Sequence, residues 1–331
     1  MRSKMNENAI EVHNLSKDYF ISSRGENWRA VVKNIYKPEK TAVQAVKALN
    51  FTIKNGEKVG FIGKNGAGKT TTIKMLTGTL FPSAGTCRVN GYDPTKRIND
   101  FKKSISVVMG NRSQLFPDLT PRDYLKLLQS MYDIPEEIFQ KTVNDLAQIL
   151  NVTSKLDVQT RKLSLGERMK VEFLAGVATR PKILFLDEPT IGLDVLAKRD
   201  IRKFLLRLNK EEKLTVFLTS HDMEDIATIC DHLIIVNSGQ IMWDGPKTDL
   251  LERFNQNKYI TFIKSENFIE SKLGTKIIDQ DDLSVTIKVP VEKVDDQIAQ
   301  LARDNQGSDY QINDLKLEDI ILELFAEEKE K

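Results

Sequence analysis

The stretch that decides the fold is Gly63-Lys64-Asn65-Gly66-Ala67-Gly68-Lys69-Thr70, which matches the pattern G-x-x-x-x-G-K-[ST]. It lies between a predicted strand, EKVGFIG, and a helix predicted to begin at about Lys69. Glycines allow a tight turn, so that backbone N–H groups and the helix start can face an anion. The pattern therefore predicts a phosphate-binding loop. The predicted contacts are Gly63, Asn65, Gly66, Ala67, Gly68, Lys69, Thr70 and Thr71.

Two carboxylates follow the apolar run 183–186 (ILFL). A short unbroken apolar run is typical of a strand covered on both faces. Ligands of open parallel sheets bind beyond the carboxyl ends of the strands. We therefore expect Asp187 to hold Mg²⁺ together with the hydroxyl of Thr70, and Glu188 to polarise an attacking water. An acidic turn after a core strand is the alternative, and the phosphate-binding loop makes it the weaker one.

A histidine closes the next apolar run, TVFLTSH, at position 221. We expect this strand to neighbour the strand that ends at Asp187. His221 would then hydrogen-bond a γ-phosphate and hold the geometry of the attacking water. His13 and His232 lack such a context, and we interpret both as structural.

Charge balance, cysteine count and the length of apolar runs narrow the classes of function that the chain can have. The 331 residues include 49 basic and 47 acidic side chains, which argues against a chain that mainly neutralises nucleic acid. Cys87 and Cys230 are far apart and fit no metal-ligand spacing, so a reducing compartment is expected. The first residues have no apolar core typical of a secretory signal, and no apolar run approaches the roughly 18 residues of a membrane span. A role at a membrane would therefore require docking onto another chain.

Local patterns predict the remaining elements. Asn55-Gly56 between two apolar alternations predicts a β-hairpin. Thr120 followed by Pro121 predicts a capped helix start, and further helices are expected at 136–150 and 166–179. Strands that alternate with helices predict an α/β domain with a mainly parallel sheet.

The character of the chain changes after Gly245-Pro246. Short strands and two helices, at 292–304 and 317–328, are expected in the remainder. We predict a main domain over residues 1–250 and a small α/β accessory domain over 256–331.

Two further motifs complete a family resemblance. Residues 163–167 (LSLGE) are similar to the LSGGQ signature of ABC transporter nucleotide-binding subunits, and residues 188–194 (EPTIGLD) are similar to the segment that runs into their D-loop. Over roughly residues 9–245 the chain resembles that family. The resemblance implies a P-loop ABC-type ATPase fold, with a mainly parallel sheet, an antiparallel β subdomain, a helical subdomain and a small C-terminal α/β appendage.

The resemblance also implies a mechanism. Two motor subunits, either two copies of this chain or this chain and a paralogue, would form a head-to-tail dimer with two ATP molecules and Mg²⁺ between them. The dimer would power a separate integral membrane permease at the cytoplasmic face of the membrane, without nucleic acid. Besides the phosphate-binding loop, the implied nucleotide contacts are Tyr19 on adenine, Ser164, Gly166 and Glu167 on the facing γ-phosphate, and Asp194 as a sensor of the facing site.

Three positions depart from the family pattern. Leu165 stands in place of a glycine, Glu167 in place of a glutamine, and Asn111 in place of the Q-loop glutamine. Asn111 is expected to coordinate Mg²⁺ with a shorter reach, and Gln114 lies close by as a further metal candidate. These departures predict hydrolysis that is slower or more dependent on partners.

Several readings of the wider function stay open. Residues 114–121 (QLFPDLTP) resemble the coupling region of drug and lipid exporters, and the signature region resembles daunorubicin-type and viologen-type bacterial exporters. An importer ATPase, or a soluble ABC ATPase acting on ribosomes or DNA, is the alternative. The basic insertion 21–45 either contacts anionic headgroups or the permease, or is an ordinary solvated loop. The C-terminal appendage either regulates the ATPase or dimer, or packs passively.

Overall fold

The computed structural model describes residues 7–22, 40–254, 256–264, 277–304, 309–313 and 315–327. Most of the predicted basic insertion 21–45 lies outside these ranges. The chain divides into two compact units, Met1–Asp244 and Gly245–Lys331. None of the described helices has both the length and the apolar character needed to cross a lipid bilayer.

The first unit alternates strands and helices along most of its length. Its strands are β1 (Asn8–Ser22), β2 (Lys40–Lys54), β3 (Lys58–Gly63), β4 (Ala84–Val89), β5 (Ile105–Met109), β6 (Ile183–Asp187), β7 (Thr215–Thr219), β8 (His232–Asn237) and β9 (Gln240–Pro246), the last of which runs into the second unit. Its helices are α1 (Lys69–Leu76), α2 (Asn99–Ser104), α3 (Pro121–Tyr132), α4 (Glu136–Ile149), α5 (Leu165–Ala178), α6 (Val195–Glu212) and α7 (Met223–Ile229).

A six-stranded sheet in the order β5-β6-β7-β3-β8-β9 forms the centre of this unit. The pairs β5/β6, β6/β7, β7/β3 and β3/β8 are all parallel. Every residue of β6 and β7 is buried, as the unbroken apolar runs predicted. The expected adjacency of β6 and β7 is confirmed, and it brings the ends of both strands to the same sheet edge.

A second sheet, β2-β1-β4, is antiparallel. The predicted hairpin at Asn55-Gly56 is wrong in its pairing, although the turn itself is present: Glu57 N–H donates to Lys54 O at 3.3 Å, and Gly56 has φ +80°. Among the described strands, β2 pairs with β1, whereas β3 pairs with β7 and β8. The turn therefore joins two sheets, because longer-range pairing outweighs the local hairpin preference.

Aromatic side chains fill the space between these two sheets. Phe51 of β2 lies 6.1 Å from Phe61 of β3, and Phe217 of β7 lies 5.2 Å from Phe61 and 5.6 Å from Phe185 of β6, measured between ring centroids. All four rings are buried. Burying each ring contributes roughly 1.5–3 kcal/mol, so this packing fixes the strands whose ends carry the candidate site.

The helical part follows the predicted capping signals. The Thr120 side chain accepts the backbone N–H of Asp123, and the Asp123 side chain accepts the backbone N–H of Thr120, with Pro121 in the first turn. This reciprocal cap satisfies N–H groups that the helix itself cannot pair. The predicted starts of the helices near 121, 136 and 166 are confirmed to within one residue.

The second unit carries an antiparallel sheet in the order β11-β12-β10-β13. Its elements are α8 (Lys247–Phe254), β10 (Asn257–Ile263), β11 (Ile277–Gln280), β12 (Ser284–Pro290), α9 (Val294–Asp304), β13 (Tyr310–Asn313) and α10 (Leu317–Glu327). Its buried cluster consists of Ile260, Phe262, Val285, Ile287, Val289 and Val294. The expected short strands and two helices are present, and β11 and α8 were not predicted.

Candidate functional site

The loop 63–70 connects the end of β3 to the start of α1. Gly68 caps α1 with φ +99°, and a Cβ at this position would lie 2.6 Å from the carbonyl oxygen of Ala45. A side chain is therefore excluded both by conformation and by space. Gly66, at φ +81°, has no atom within 4 Å of where its Cβ would be, so open space adjoins the loop at this residue.

Lys69 folds back into the loop that precedes it. Its Nζ donates to the carbonyl oxygen of Gly63 at 2.6 Å and to that of Lys64 at 3.3 Å. Desolvation by burial lowers the pKa of the Lys69 ammonium, and the charges of Glu188 and Asp187 oppose that shift. The cation is thus held beside two carboxylates at the sheet edge.

A hydroxyl and a carboxylate meet at the end of β6. Thr70 Oγ1 donates to Asp187 Oδ2 at 3.1 Å, and Thr219 Oγ1 donates to Asp187 Oδ1 at 2.7 Å. Asp187 is almost fully buried. Carboxylate and hydroxyl oxygens are hard donors of the kind that Mg²⁺ prefers. The donor set formed by Thr70 and Asp187 therefore fits the expected metal.

Glu188 lies next to His221 across the ends of β6 and β7. The backbone N–H of His221 donates to Glu188 Oε2 at 2.9 Å. Glu188 Oε1 is buried and has no hydrogen-bond partner among the described residues, although His221 Nε2 is 3.2 Å away. The His221 side chain is 49% exposed. The Glu188 carboxylate and the His221 imidazole therefore form a close pair at the edge of the site.

Lys69, Thr70, Glu188 and His221 line a cavity of about 300 Å³, whereas Asp187 is reached through its hydrogen bond with Thr70. Its lining residues are Ala45, Lys64, Asn65, Gly66, Gly68, Lys69, Thr70, Thr71, Glu188 and His221. The cavity thus brings together most of the phosphate-loop residues and both catalytic candidates predicted from sequence.

The signature residues form the start of α5. Ser164 caps the helix, its Oγ accepting the backbone N–H of Glu167 at 3.2 Å, and Glu167 Oε2 accepts the backbone N–H of Ser164 at 2.9 Å. The Leu165 side chain lies against Gly192. In the described part of the chain, this helix start does not line the phosphate-loop cavity.

Asp194 and Tyr19 occupy other positions. Asp194 caps α6, with its Oδ1 accepting the backbone N–H of Ala197 at 2.8 Å. Tyr19 pairs with Val43 across β1 and β2, is 38% exposed, and has the Lys17 ammonium 5.7 Å from its ring centroid. Neither residue is among those that line the cavity in the described structure.

The two amide candidates for the metal differ in position. Asn111 is exposed and follows Gly110, whose N–H donates to Asp187 O at 3.0 Å. A Cβ at Gly110 would lie 1.8 Å from Glu188 O, so this loop runs tightly against the catalytic strand end. Gln114 instead donates through Nε2 to Val107 O at 2.6 Å and lines a different pocket. Its side chain is therefore hydrogen-bonded to β5 and does not line the cavity, contrary to its expected role as a metal ligand.

Sequence reasoning missed a buried ion pair behind the catalytic pair. Arg202 Nε of α6 donates to Asp225 Oδ1 of α7 at 2.5 Å. Asp225 Oδ2 accepts from the hydroxyls of Thr190 and Ser220. Because Thr190 belongs to the loop after β6 and Ser220 to the loop after β7, the pair links the two loops of the site. Arg202 and Asp225 are 23 residues apart, so no local sequence pattern indicates their contact.

A phosphate-binding loop at the carboxyl edge of a parallel sheet, with a hydroxyl–carboxylate pair and a glutamate–histidine pair beside it, defines a P-loop ATPase. The profile of the family described as ABC transporter matches residues 46–191. The ABC transporter ATP-binding protein NatA of Bacillus subtilis (strain 168) is 32% identical over 217 residues, which are 66% of this chain and 88% of NatA. The chain belongs to the ABC transporter ATP-binding family and is an ATPase.

Two further similarities agree with this assignment. The linearmycin resistance ATP-binding protein LnrL of Bacillus subtilis (strain 168) is 32% identical over 215 residues, covering 65% of this chain and 68% of LnrL. A solved structure of an ATP-binding subunit of an ABC transporter superposes with a TM-score of 0.61 at 23% identity, covering 74% of this chain and 93% of that chain. The predicted P-loop ABC-type fold is thereby confirmed.

Proposed function

We propose that this chain is the motor subunit of an ABC exporter and drives a separate integral membrane permease from the cytoplasmic face of the membrane. The observation that carries the proposal is the cavity in which Lys69, Thr70, Glu188 and His221 converge. LnrL, a relative named for linearmycin resistance, supports the export direction. The resemblance of residues 114–121 to the coupling region of exporters supports a permease partner.

In this proposal the phosphate-binding loop and Lys69 bind the β- and γ-phosphates of ATP. Thr70 and Asp187 would hold Mg²⁺, with Asn111 as a further ligand, and the metal would neutralise charge on the phosphate oxygens. Glu188 accepts a proton from the attacking water, and His221, whose Nε2 lies 3.2 Å from Glu188 Oε1, holds that water and the γ-phosphate in position.

The second half of each site comes from a partner motor subunit, either another copy of this chain or a paralogue. The start of α5, with the Ser164 hydroxyl and backbone N–H groups, suits an anion. It lies outside the cavity of its own chain in the described structure, which supports its use by a facing subunit. Tyr19 would stack on adenine and Asp194 would sense the facing site.

We also propose the domain assignment 1–250 for the motor and 256–331 for an accessory domain. The compact second unit beginning at Gly245, with its own sheet and buried cluster, supports it. A domain with its own core can regulate the ATPase or stabilise the dimer without contributing to the ATP cavity.

Glu188→Gln tests the catalytic assignment. Loss of the proton acceptor lowers the ATPase rate by roughly 10²–10⁴-fold while ATP binding is kept. The steady-state ATPase rate and the dissociation constant for ATP measure the two effects. Glu136→Gln, an exposed glutamate at the start of α4, is the matched control and leaves both unchanged. An unaltered rate in Glu188→Gln removes Glu188 from this role.

Purification from membranes tests the transport assignment. An integral membrane protein retained with the tagged chain supports a permease partner, and the sequence of that protein distinguishes an exporter from an importer. Recovery of ribosomes or DNA instead, with no membrane protein, contradicts the proposal.

A further inference from the structure

Glu167 places a negative charge at the start of α5, where the proposed function needs a positive one. The N-terminus of a helix carries about +0.5 elementary charge, which a nearby carboxylate reverses. The bond from the Ser164 backbone N–H to Glu167 Oε2 holds this carboxylate within the first helical turn. Taken alone, the carboxylate would make the helix start repel an approaching γ-phosphate.

Lys155 cancels this charge. Its Nζ lies 2.9 Å from Glu167 Oε1, the oxygen that the helix cap does not use. Lys155 ends the short 3₁₀ turn Thr153–Lys155 between α4 and α5. The hydrogen bond from Lys155 is the largest cause that lowers the pKa of Glu167, so the ion pair favours the charged carboxylate. The helix start, Glu167 and Lys155 together leave the site about half a unit positive.

We infer that Lys155 is a positioning residue of the ATPase: it neutralises Glu167 so that the start of α5 can bind the γ-phosphate held by the facing motor subunit. The inference rests on the proposed function, which assigns that phosphate to the facing subunit. Lys155 acts through Glu167 and does not itself need to touch ATP. The ion pair thus takes the place of the neutral glutamine that is usual in the family.

A role in folding alone does not explain the pair. Both side chains are partly exposed, 39% for Lys155 and 31% for Glu167, and exposed ion pairs contribute little to folding stability. Glutamine can also form the reciprocal cap with Ser164, so the cap itself does not require a carboxylate. The charge at this position therefore has its main consequence for an anionic ligand.

Four full-length chains test the inference, all carrying Glu188→Gln to suppress hydrolysis: the parent, Lys155→Gln, Glu167→Gln, and the double variant. The dissociation constant of the dimer with Mg²⁺ and ATP is measured by analytical ultracentrifugation. Lys155→Gln weakens the dimer by about tenfold, because an uncompensated carboxylate then faces the phosphate. The dimer of Glu167→Gln has a dissociation constant equal to or lower than that of the parent. The dissociation constant of the double variant returns to within about threefold of the parent value.

Two controls separate electrostatics from structure. Lys141→Gln, which removes an exposed lysine of α4, leaves the dimer unchanged. The defect of Lys155→Gln shrinks as salt is raised from about 0.05 to about 0.5 M, since salt screens exposed charges. If Lys155→Gln instead disrupted the local structure, neither added salt nor Glu167→Gln would restore dimerisation.

The inference is overturned if Lys155→Gln dimerises like the parent, or if the double variant is as weak as Lys155→Gln. A parent that stays monomeric with ATP instead refutes the homodimer in the proposed function. The same comparison is then made on the ATPase rate of membranes that contain the assembled transporter, with Glu188 intact. An ATPase rate that is lost in Lys155→Gln and restored in the double variant supports the positioning role of Lys155. An unchanged ATPase rate in Lys155→Gln refutes that role.

Discussion

Replacing Asp225 by asparagine tests whether a buried ion pair holds the two catalytic loops together. Asp225 is 0% exposed and Arg202 is 7% exposed. Asparagine keeps the shape of the side chain, but its one oxygen can accept either from the hydroxyls of Thr190 and Ser220 or from the Arg202 guanidinium, and its amide NH₂ only donates. The substitution therefore removes the negative charge opposite the guanidinium together with one of the two acceptor oxygens.

The magnitude follows from what remains around Arg202. Removing one partner of a buried pair costs about 3–5 kcal/mol. Arg202 keeps Glu224 at 2.7 Å, which is largely exposed, and Asp222 at 3.4 Å. These carboxylates offset part of the lost stability, so we expect the free energy of unfolding to fall by about 3 kcal/mol, the low end of that range. For a unit of this size, that lowers the melting temperature by about 6–12 °C.

Thermal and urea unfolding of the full chain measure the effect, with a double-mutant cycle. Adding Arg202→Met to Asp225→Asn removes the cation that has lost its buried partner, so the double variant is more stable than Asp225→Asn alone. Asp200→Asn is the matched control: its partner Lys170 is 2.6 Å away but the pair is less buried, and we expect a loss of about 1 kcal/mol. A loss below about 1 kcal/mol for Asp225→Asn, or strict additivity in the cycle, refutes the reasoning.

Two further perturbations have defined outcomes. The hydrogen bond with Asp244 and the charge of Glu57 raise the pKa of His232, so its contribution to stability is full below about pH 6.5 and is lost as pH rises through the folded-state value. The stability difference between wild type and His232→Gln therefore shrinks from pH 6 to pH 9 in urea titrations, and a difference that grows contradicts this. Gly110→Ala forces a Cβ onto the carbonyl of Glu188, and we expect a loss of about 1–3 kcal/mol in stability and at least tenfold in ATPase rate; unchanged activity contradicts the proposed tight packing.

Signals that act within a few residues could be predicted from the sequence. The helix start at Thr120 depends on a partner three residues away, and the phosphate-binding loop depends on its own glycines. The expected adjacency of the strands that end at Asp187 and before His221 is also confirmed by the pairing of β6 with β7.

Contacts between distant segments could not be predicted. Asn55-Gly56 makes the expected turn, but the strands on either side find their partners elsewhere in the chain. The side chain of Gln114 bonds to the backbone of the strand before it, which no spacing rule indicates. The bond between Lys155 and Glu167 crosses a turn and a helix start, so it emerges only from packing.

The phosphate-binding loop is enclosed by carbonyl groups from both sheets of the first unit: Ala45 O beside Gly68 and Val236 O beside Gly63. Its curvature is thus supported by close backbone contacts with both sheets. Preorganisation of this kind reduces the ordering entropy lost on binding. A short peptide that contains the motif but lacks β2 and β8 would have the same sequence without the contacts that hold the loop conformation. Nucleotide affinity in this protein is accordingly a property of the folded domain.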